Sequence, residues 1–401
     1  MKFYDELKWR GLIKDVSNES EIERLLNDEK VTFYWGTDPT ADSLHLGHYS
    51  SLVTAKRLAL HGHKPILLCG GATGLIGDPR PTAEREIISY ETVRSNIEGI
   101  RNQINKIFDG KAELVDNYDW TKDYSYLDFL RDIGKYINVN YMLDKDIIRR
   151  RLESGITYAE FSYTLIQGND FLELFQRKNC IMQVEGSDQW GNITTGIELI
   201  KKKLGKEAYG FTMPLILDQN GNKFGKSEGN ALWLDKEKTS PYKMYQYLVN
   251  TDDKKVIEYL KVFTFLSKEE IEALEESVKN EPEKRLAQKT LAYEIIKDLH
   301  GEEEAIKART TSEEVFSKGY SEEGMPEEKI EYTDGMNIMD LLVLTKIAPS
   351  KSEARRLIVG NGISINNNKE TDPNRLITKE EINDLIISKG KKTHIKVNLV
   401  K

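Results

Sequence analysis

The chain has 401 residues, of which 39% are hydrophobic and 31% are charged, and its net charge is −8 at pH 7. This composition is typical of a globular protein with a full core, and the length predicts two or three domains. The sequence has no apolar run near the roughly 20 residues of a membrane helix, no secretory signal pattern, and only two cysteines. We therefore expect a cytoplasmic protein with no membrane partner and no zinc.

The first part of the chain alternates strand and helix patterns. The segment "VTFYWG" (31–36) is rich in β-branched and aromatic residues and predicts a strand, and "KPILLCGG" (64–71) predicts a second, wholly apolar one. A helical pattern lies between them, and a continuous apolar strand is typical of a parallel sheet covered on both faces. Further strands are predicted at "AELVDN" (112–117), "IMQVEG" (181–186) and "TMPLIL" (212–217). The fold class is therefore α/β, with a doubly wound parallel-sheet (Rossmann-like) domain over 1–232 and a ligand crevice at the carboxyl ends of its strands.

The rest of the chain predicts three further segments. Residues 233–320 carry helix starts and helical periodicity, so they predict an α-helical domain. Residues 321–335 are acidic, contain Gly and Pro, and predict a linker. Residues 336–401 predict a small α+β domain and hold twelve Lys and Arg against seven Asp and Glu. A basic end on an acidic chain favours an appended nucleic-acid-binding domain, although a solvated surface has the same composition.

Two of the six histidines stand together in "PTADSLHLGH" (39–48), at the start of the first helix of the sheet domain. This position places His45 and His48 at the mouth of the crevice, where a helix N-terminus and two imidazoles could bind phosphate. Gly47 would leave room for a nucleotide to approach the backbone. The alternative is a pair of loop histidines without a catalytic role.

The stretch "GNKFGKSEGN" (221–230) follows the last predicted strand of the sheet. Its Lys223, Lys226 and Ser227 could fold over a triphosphate, but their spacing differs from the G-x-x-x-x-G-K-[ST] pattern of a P-loop NTPase. The alternative is an exposed basic turn.

A third pattern is the set Tyr163, Gln167 and Asp170 in "YTLIQGND". Their spacing of four and then three residues puts them on one face of a helix, where they could line one pocket. The alternative is a structural stripe with a paired carboxylate.

The histidine and lysine motifs together are those of class I aminoacyl-tRNA synthetases, and the chain resembles the bacterial-type tyrosyl-tRNA synthetases. The resemblance rests on "YWGTDPTADSLHLGH", "GGATGLIGDP", "VNYML", "EFSYTLIQGNDF", "GSDQWGNIT", "KFGKS" and "WLDKEKTSPYKMYQYLVNTDD". Residues 336–401 resemble the S-four-like ribosomal-protein RNA-binding domain. The resemblance implies a tyrosine–tRNA ligase, an enzyme that forms tyrosyl-adenylate from L-tyrosine and ATP and transfers the tyrosyl group to the 3′ end of tRNA(Tyr).

The resemblance implies a role for each residue of the tyrosine pocket. Tyr34 and Asp170 match the positions that hydrogen-bond the phenol, and a site built for a hydroxyl rejects phenylalanine because its buried polar groups would lose their partner. Tyr163, Gln167 and Asp78 match the positions that hold the ammonium group of the substrate.

The resemblance also implies the nucleotide contacts. Asp38 supports the ammonium site, Asp188 contacts the ribose, and Gln189 lies by the substrate carboxylate and the α-phosphate. The nucleotide-binding positions are Gly36, Gly47, His48, Gly186, Asp188 and Lys226. The residues that stabilise charge on the phosphates are Thr40, His45, His48, Lys223, Lys226, Ser227 and Arg85. Magnesium is expected with ATP, held mainly by phosphates.

Two positions depart from the family pattern. The loop "GDPRPTAEREI" has Arg80 where family members often carry a lysine, so the role of Arg80 is open. Asn169 replaces a more usual aromatic residue; we expect it to point away from the face of Gln167 and Asp170, with little effect.

The resemblance implies two macromolecular partners. In the basic tail, Lys351, Arg355 and Arg356 lie on or beside one predicted helix and are the candidate tRNA contacts. The family is a homodimer, and an insertion at about 120–180 in the catalytic domain would supply the interface.

Three other functions are compatible with parts of the sequence. An adenylyltransferase of a cofactor pathway would explain the ATP site but neither the phenol-binding pair nor the basic tail. A synthetase-derived RNA-binding scaffold would explain the tail but not the intact histidine and lysine motifs. A tryptophanyl enzyme is the nearest sibling, yet an indole offers only a donor to the phenol-binding pair.

Overall fold

The structure is a computed structural model, and it describes residues 1–79, 88–152, 155–227, 230–318, 326–366, 368–378, 385–390 and 393–400. Contacts between Cα atoms divide the chain into two compact units. One unit contains Met1–Lys238 and Asp252–Asn280, and the other contains Thr239–Thr251 and Glu281–Lys401. The domain boundary near residue 233 stays a prediction.

The first unit is built on a parallel sheet in the order β3-β2-β1-β4-β5. Its strands are β1 (Thr32–Thr37), β2 (Lys64–Cys69), β3 (Glu113–Asp116), β4 (Cys180–Gly186) and β5 (Tyr209–Met213). The second strand is buried from Pro65 to Cys69, as its continuous apolar sequence predicts for a sheet covered on both faces. The Rossmann-like, doubly wound architecture is confirmed.

Helices cover the sheet and extend beyond it. Those before β4 are α1 (Phe3–Trp9), α2 (Glu19–Asp28), α3 (Leu46–Leu60), α4 (Tyr90–Ile107), α5 (Tyr118–Thr121), α6 (Tyr126–Asp132), α7 (Val139–Leu143), α8 (Asp146–Leu152) and α9 (Tyr158–Lys178). After β4 come α10 (Trp190–Leu204) and the short strands β6 (Lys226–Ser227) and β7 (Asn230–Ala231). Within the described part of the chain, no helix combines the length and apolarity needed to span a membrane.

The helix α9 carries three of the predicted site residues, and its ends have clear physical causes. Thr157 caps the N-terminus: its side chain accepts the backbone N–H of Glu160, and the carboxylate of Glu160 reaches back to the backbone of Thr157. Arg151 holds the same carboxylate in a buried ion pair at 2.7 Å. The helix ends at Asn179, which adopts the left-handed conformation.

The fifth strand differs from its prediction. The sequence predicts a strand at 212–217, whereas β5 ends at Met213. Pro214 follows directly, and proline has no N–H to donate to a sheet. The apolar residues after Pro214 misled the sequence argument, because they continue the hydrophobic pattern without the hydrogen bonds of a strand.

The region between 239 and 318 is helical. Its helices are α11 (Pro241–Val249), α12 (Asp253–Phe263), α13 (Lys268–Asn280), α14 (Leu286–His300) and α15 (Glu302–Lys318). The first unit includes α12 and α13, whereas α11, α14 and α15 belong to the second. In the second unit Arg285 donates to the backbone oxygens of Val249 and Thr251, which ties α14 to the end of α11.

The end of the chain forms a small α+β domain with a mixed sheet in the order β10-β9-β11-β12-β8. The elements are β8 (Glu327–Glu331), α16 (Ile338–Leu344), α17 (Lys351–Val359), β9 (Ile363–Ile365), β10 (Asn368–Lys369), β11 (Leu385–Lys389) and β12 (Thr393–Val400). The strand β8 lies inside the segment predicted as a linker and pairs in parallel with β12. Its sequence lacks the apolar pattern that would predict a strand, because only Ile330 of its five residues is buried.

Candidate active site

The candidate site lies at the carboxyl ends of β1 and β4. The chain continues from β1 to β2 on one side, and β4 pairs with the other side of β1. In open α/β sheets this reversal of strand order creates a crevice for ligands. Gly36 and Asp38 stand at the end of β1, and Gly186, Asp188 and Gln189 stand at the end of β4. The structure thus brings these five predicted residues to one edge of the sheet.

His45 and His48 form the N-terminal cap of α3. The Nδ1 atom of His45 accepts the backbone N–H of Gly47 at 3.1 Å, and the Nδ1 atom of His48 accepts the backbone N–H of His45 at 3.3 Å. The two rings stack with their centroids 3.8 Å apart. Because each Nδ1 accepts, the neutral rings carry their protons on Nε2. The pair therefore provides N–H donors at a helix N-terminus, where the helix dipole also favours anions.

The loop of residues 221–230, which carries Lys223 and Lys226 and is called the lysine loop below, packs against the N-terminus of α3 through two glycines. A Cβ atom on Gly225 would lie 2.8 Å from the backbone nitrogen of Gly47, and Gly225 has a positive φ of 85°. A Cβ atom on Gly47 would lie 2.9 Å from the ring of His45 and 3.3 Å from the carbonyl oxygen of Phe224. A side chain at either glycine would therefore collide with this packing, and the nucleotide contact of Gly47 stays a prediction.

The base of the lysine loop is anchored by an aromatic cluster. Phe224 is buried, with its ring centroid 4.5 Å from that of Tyr259 and 4.7 Å from that of Phe263. The backbone of Leu232 donates to the carbonyl of Gly225, and β6 pairs with β7.

Some of the predicted phosphate contacts cannot be placed. The side chains of Lys226 and Ser227, and the residues Arg80 and Arg85, lie outside the described residues. Thr40, Asp188 and Lys223 are exposed.

Asp38 connects the end of β1 to α9. Its Oδ1 atom accepts the hydroxyl of Thr73 at 2.7 Å, and its Oδ2 atom accepts the hydroxyl of Tyr163 at 2.9 Å. Burial raises the pKa of Tyr163, and the charges of Asp38 and Asp78 raise it further. The structure therefore brings together three of the residues predicted around the ammonium group.

Asp78 contacts side chains that follow the end of β4. Its Oδ2 atom accepts the side-chain amide of Gln189 at 2.9 Å, and the Oε1 atom of Gln189 accepts from Asn192 at 2.9 Å. The Oε1 atom of Gln167 is buried and has no hydrogen-bond partner among the described residues. These groups could serve an ammonium and a carboxylate on one ligand.

Asp170 is 1% exposed and is held by two donors. The indole Nε1 of Trp120 donates to Oδ1 at 2.8 Å, and the amide of Asn117 donates to Oδ2 at 2.9 Å. Burial raises the pKa of Asp170 to about 7, although both hydrogen bonds oppose the rise. The carboxylate therefore has a fixed orientation and titrates near neutral pH.

Tyr34 is 1% exposed and its ring meets the ring of Phe171 edge-on, with centroids 5.4 Å apart. Within the described part of the chain, its hydroxyl has no hydrogen-bond partner. Burial raises the pKa of Tyr34, and the charges of Asp170 and then Glu185 act in the same direction. A buried hydroxyl without a partner costs roughly 1–3 kcal/mol, so a ligand group is the expected partner.

Sequence reasoning missed two residues on β4. Gln183 is fully buried, and neither atom of its amide has a hydrogen-bond partner among the described residues. It pairs in register with Tyr34, so both side chains face the same side of the sheet. Glu185 is also buried and accepts the backbone N–H of Gly36. A polar residue inside the apolar run "IMQVEG" was the available signal.

Sequence reasoning also missed the residues that hold Asp170. Asn117 and Trp120 lie in "DNYDW", directly after β3, where the crevice of a doubly wound sheet is expected. Asn169, which was expected to have little effect, is buried, and its Oδ1 atom has no partner among the described residues.

The predicted RNA contacts lie on α17. Lys351, Arg355 and Arg356 are exposed, and two of them have acidic neighbours: Lys351 pairs with Asp340, and Arg356 pairs with Glu353 at 2.6 Å.

Two families match this chain. The family of tRNA synthetases class I (W and Y) matches residues 26–317, and the tyrosine–tRNA ligase SYY-like C-terminal domain matches residues 317–397. The fold and the two signature motifs thus define a class I aminoacyl-tRNA synthetase.

The similar proteins are more specific. The chain is 46% identical to the tyrosine–tRNA ligase of Acetivibrio thermocellus, over 99% of each chain. It is 45% identical to that of Streptococcus uberis, over 98% of this chain and 99% of the relative. Among solved structures, the C-terminally truncated mitochondrial tyrosyl-tRNA synthetase of Aspergillus nidulans matches with a TM-score of 0.70 and 33% identity, over 79% of this chain and 94% of that chain. The chain belongs to the tyrosine–tRNA ligase family.

Proposed function

We propose that this protein joins L-tyrosine to tRNA(Tyr) in the cytoplasm, in two steps. The tyrosine carboxylate first attacks the α-phosphorus of ATP, which forms tyrosyl-adenylate and releases pyrophosphate. A ribose hydroxyl at the 3′ end of the tRNA then attacks the activated carbonyl carbon, and AMP leaves. The membership of the chain in the tyrosine–tRNA ligase family supports this reaction.

The observation that carries the choice of amino acid is the pair Tyr34 and Asp170. A phenol can donate its proton to the carboxylate of Asp170 and accept the proton of the Tyr34 hydroxyl, which has no other partner in the described part of the chain. An indole N–H can only donate, so with tryptophan the Tyr34 proton would stay unpaired. The geometry therefore favours tyrosine over tryptophan.

The first step needs no base on the protein, because the attacking carboxylate is already ionised. Catalysis must come from orienting the reactants and from stabilising charge on the phosphates. We assign that stabilisation to Thr40 and to the Nε2–H donors of His45 and His48. We assign further positive charge and donors to Lys223, Lys226, Ser227 and Arg85. Magnesium would enter with ATP as part of the substrate, held by phosphate oxygens.

The remaining contacts follow from the ends of β1 and β4. Asp188 would bind the ribose hydroxyls, and Gln189 would orient the tyrosine carboxylate beside the α-phosphate. Gly36 and Gly186 would lie against the adenylate, because both stand at the crevice edge of the sheet. Tyr163, Gln167 and Asp78 would hold the ammonium group, with Asp38 fixing the hydroxyl of Tyr163.

The tRNA would be bound in part by the C-terminal domain. The exposed basic side chains of α17, namely Lys351, Arg355 and Arg356, are suited to phosphate contacts. Their acidic neighbours are on the same domain and would be displaced by RNA phosphates at low cost, because exposed ion pairs contribute little.

We also propose that the protein is a homodimer through an apolar surface between residues 126 and 158. Its exposed side chains include Leu127, Val139 and Leu152, and the rings of Tyr126 and Tyr158 are exposed as well. Contiguous exposed apolar side chains are typical of a protein interface. In sedimentation analysis, Leu127→Glu with Val139→Glu should give monomers, whereas the control Leu60→Glu, which changes another exposed leucine, should leave the wild-type dimer intact. A monomeric wild type would contradict this proposal.

The function is tested by ATP–pyrophosphate exchange with each of the twenty amino acids. We expect exchange with tyrosine alone, and tyrosine-dependent charging of tRNA(Tyr). Exchange with tryptophan would favour the sibling enzyme, and no exchange with any amino acid would favour an RNA-binding scaffold. Either result would overturn the proposed function.

A further inference from the structure

The end of β3 holds a buried acidic residue that the proposed mechanism does not use. The side chain of Asp116 is 3% exposed. Its Oδ1 atom accepts the backbone N–H of Tyr118 at 2.9 Å, and a Cβ atom on Gly71 would lie only 2.2 Å from the same oxygen. The carboxylate is therefore tightly enclosed, and a buried charge of this kind is stable only beside a positive partner.

That partner is Arg94, on the first part of α4. Its Nη1 atom lies 2.5 Å from Oδ2 of Asp116. The guanidinium also lies over two aromatic rings, 5.0 Å from the centroid of Tyr90 and 4.6 Å from the centroid of Tyr118. The two rings contact each other with centroids 5.3 Å apart. We refer to Arg94, Tyr90, Tyr118 and Asp116 as the Arg94 cluster.

The residue after Asp116 reaches into the candidate active site. Asn117 is fully buried, and its Nδ2 group donates both to Asp170 at 2.9 Å and to the hydroxyl of Thr73 at 3.0 Å. Thr73 in turn donates to Asp38. One amide therefore contacts the hydrogen-bond network of both carboxylates that surround the expected tyrosine.

The geometry points to Arg94 as a positioning residue for the tyrosine pocket. By fixing Asp116, Arg94 fixes the turn that carries Asn117, and Asn117 orients Asp170 and, through Thr73, Asp38. This inference rests on the proposed function, because it assigns Arg94 a part in binding the same substrate.

The short chain distance makes this coupling strong. Asp116 and Asn117 are consecutive, and the carboxylate of Asp116 also accepts the backbone N–H of Tyr118, so it holds the turn on both sides of Asn117. Without Arg94 the buried carboxylate would lose its counter-charge and would have to move toward water. That movement would turn the backbone at 116–118, and the amide of Asn117 would turn with it.

The test uses four variants and one control measured beside the wild type. Arg94→Met removes the charge but keeps much of the side-chain length, and Arg94→Lys restores the charge. Asp116→Asn removes the need for a cation, and the double variant of Arg94→Met with Asp116→Asn completes a cycle. Arg10→Met is the control, because Arg10 is likewise paired with a carboxylate, that of Glu6 at 2.7 Å, but lies outside this network.

The readouts are the KM for tyrosine and kcat in pyrophosphate exchange, the ratio of kcat/KM for tyrosine over phenylalanine, and the melting temperature. Arg94→Met should raise the KM for tyrosine about tenfold, and it should do so much less in the Asp116→Asn background, because paired residues couple in such cycles. Arg94→Lys should recover most of the loss. Arg10→Met should lower the melting temperature and leave the KM for tyrosine unchanged.

A pH profile separates positioning from general loss of stability. The groups that face Asp170 are the carboxylates of Asp38 and Glu173 and the hydroxyls of Tyr34 and Tyr163, and none of them is changed in these variants. If Asn117 turns away, Asp170 loses a hydrogen bond to its ionised form. The inflection in kcat/KM for tyrosine should then move to higher pH in Arg94→Met by roughly half a unit to one unit.

The outcomes distinguish a failure of the proposed function from a failure of the role assigned to Arg94. If the wild type does not activate tyrosine, the proposed function fails. If the wild type does and Arg94→Met lowers only the melting temperature, with the KM for tyrosine and the pH profile unchanged, the assignment of Arg94 fails by itself. An equal effect of Arg94→Met in both backgrounds would also overturn it.

Discussion

The parallel sheet of the first unit and the mixed sheet of the C-terminal domain differ in the hydrogen bonding of their buried polar side chains. Near the first sheet, the hydroxyl of Tyr34 and side-chain atoms of Gln167, Asn169 and Gln183 are buried without partners among the described residues. In the described part of the C-terminal domain, no buried side-chain atom is unpaired in this way. Each unpaired buried group costs roughly 1–3 kcal/mol, so a ligand that hydrogen-bonds to these groups gains that energy on binding.

In its described part, the C-terminal domain satisfies its buried polar side chains within the protein. Its core is an apolar cluster that includes Leu341, Ile363 and Leu385, and its buried Ser388 and His394 hydrogen-bond to each other at 2.7 Å. Its predicted function lies on exposed side chains of α17. Under the proposed function, a small molecule would be recognised by buried groups that have no partner among the described residues, whereas RNA would be recognised by solvated charge. Variants in the two regions should therefore differ in both the size and the kind of their effects.

The largest effect is expected for Asp170→Asn. This change turns one of the two acceptor oxygens into a donor that faces either Asn117 or Trp120, and it removes the charge that the phenol would meet. Breaking such a buried charged contact costs roughly 3–5 kcal/mol, so kcat/KM for tyrosine should fall about 10³-fold. Tyrosine-dependent pyrophosphate exchange measures this, with the exposed Asp144→Asn as the control. Near-normal exchange in Asp170→Asn would remove the phenol-binding assignment.

The next effect is expected for His45→Ala. Loss of one preorganised donor on a transition state costs about 10² to 10³ in rate. Adenylate formation should therefore slow by that factor, while tyrosine affinity changes little; stopped-flow kinetics separate the two. His45→Asn keeps an N-cap on α3 and controls for stability, and His61→Ala controls for loss of a stacked histidine elsewhere. Equal losses in rate and in affinity would contradict the phosphate role.

A smaller effect is expected from pH. Burial raises the pKa of Asp170 from 3.8 to about 7, so its contribution to stability is complete below about pH 4 and is lost as the pH rises through 7. The ionised carboxylate that would accept the hydrogen bond of the phenol forms over the same rise in pH. The value of kcat/KM for tyrosine should be about tenfold higher at pH 8 than at pH 6. The inflection in this pH profile should vanish in Asp170→Asn. A pH profile that is flat in the wild type would contradict the link between the ionisation of Asp170 and the use of tyrosine.

The smallest effect is expected on the exposed surface. Arg355→Ala with Arg356→Ala should weaken tRNA charging several-fold and reduce the dependence of binding on salt by about one to two counterions. Pyrophosphate exchange, which needs no tRNA, should be unchanged. Lys202→Ala, an exposed lysine on α10, is the control. If exchange fell together with charging, the separation between the two regions would not hold.

The sequence was sufficient where local pattern and structure coincide. The strands β1, β2, β3 and β4 form where their β-branched and apolar runs predicted them, and α9 carries Tyr163, Gln167 and Asp170 on one helix as their spacing predicted. The family resemblance is also confirmed.

The sequence was insufficient where a single residue or a distant contact overrides the local hydrophobic pattern. Pro214 ends β5 inside an apolar run, and β8 forms from a charged segment because it completes the edge beside β12. The sequence also did not show that a distant loop brings Gly225 against Gly47.

The sequence by itself determined which segments become strands and helices and which motifs the chain carries, because periodicity and short motifs are local properties. Only the tertiary structure decided that Asn117 and Trp120 hold Asp170, that Gln183 lies beside Tyr34 with no partner among the described residues, and that Arg94 meets Asp116. These pairs are far apart in the chain, and their energies depend on burial, which removes the competing water and exists only after the sheet and its helices have packed.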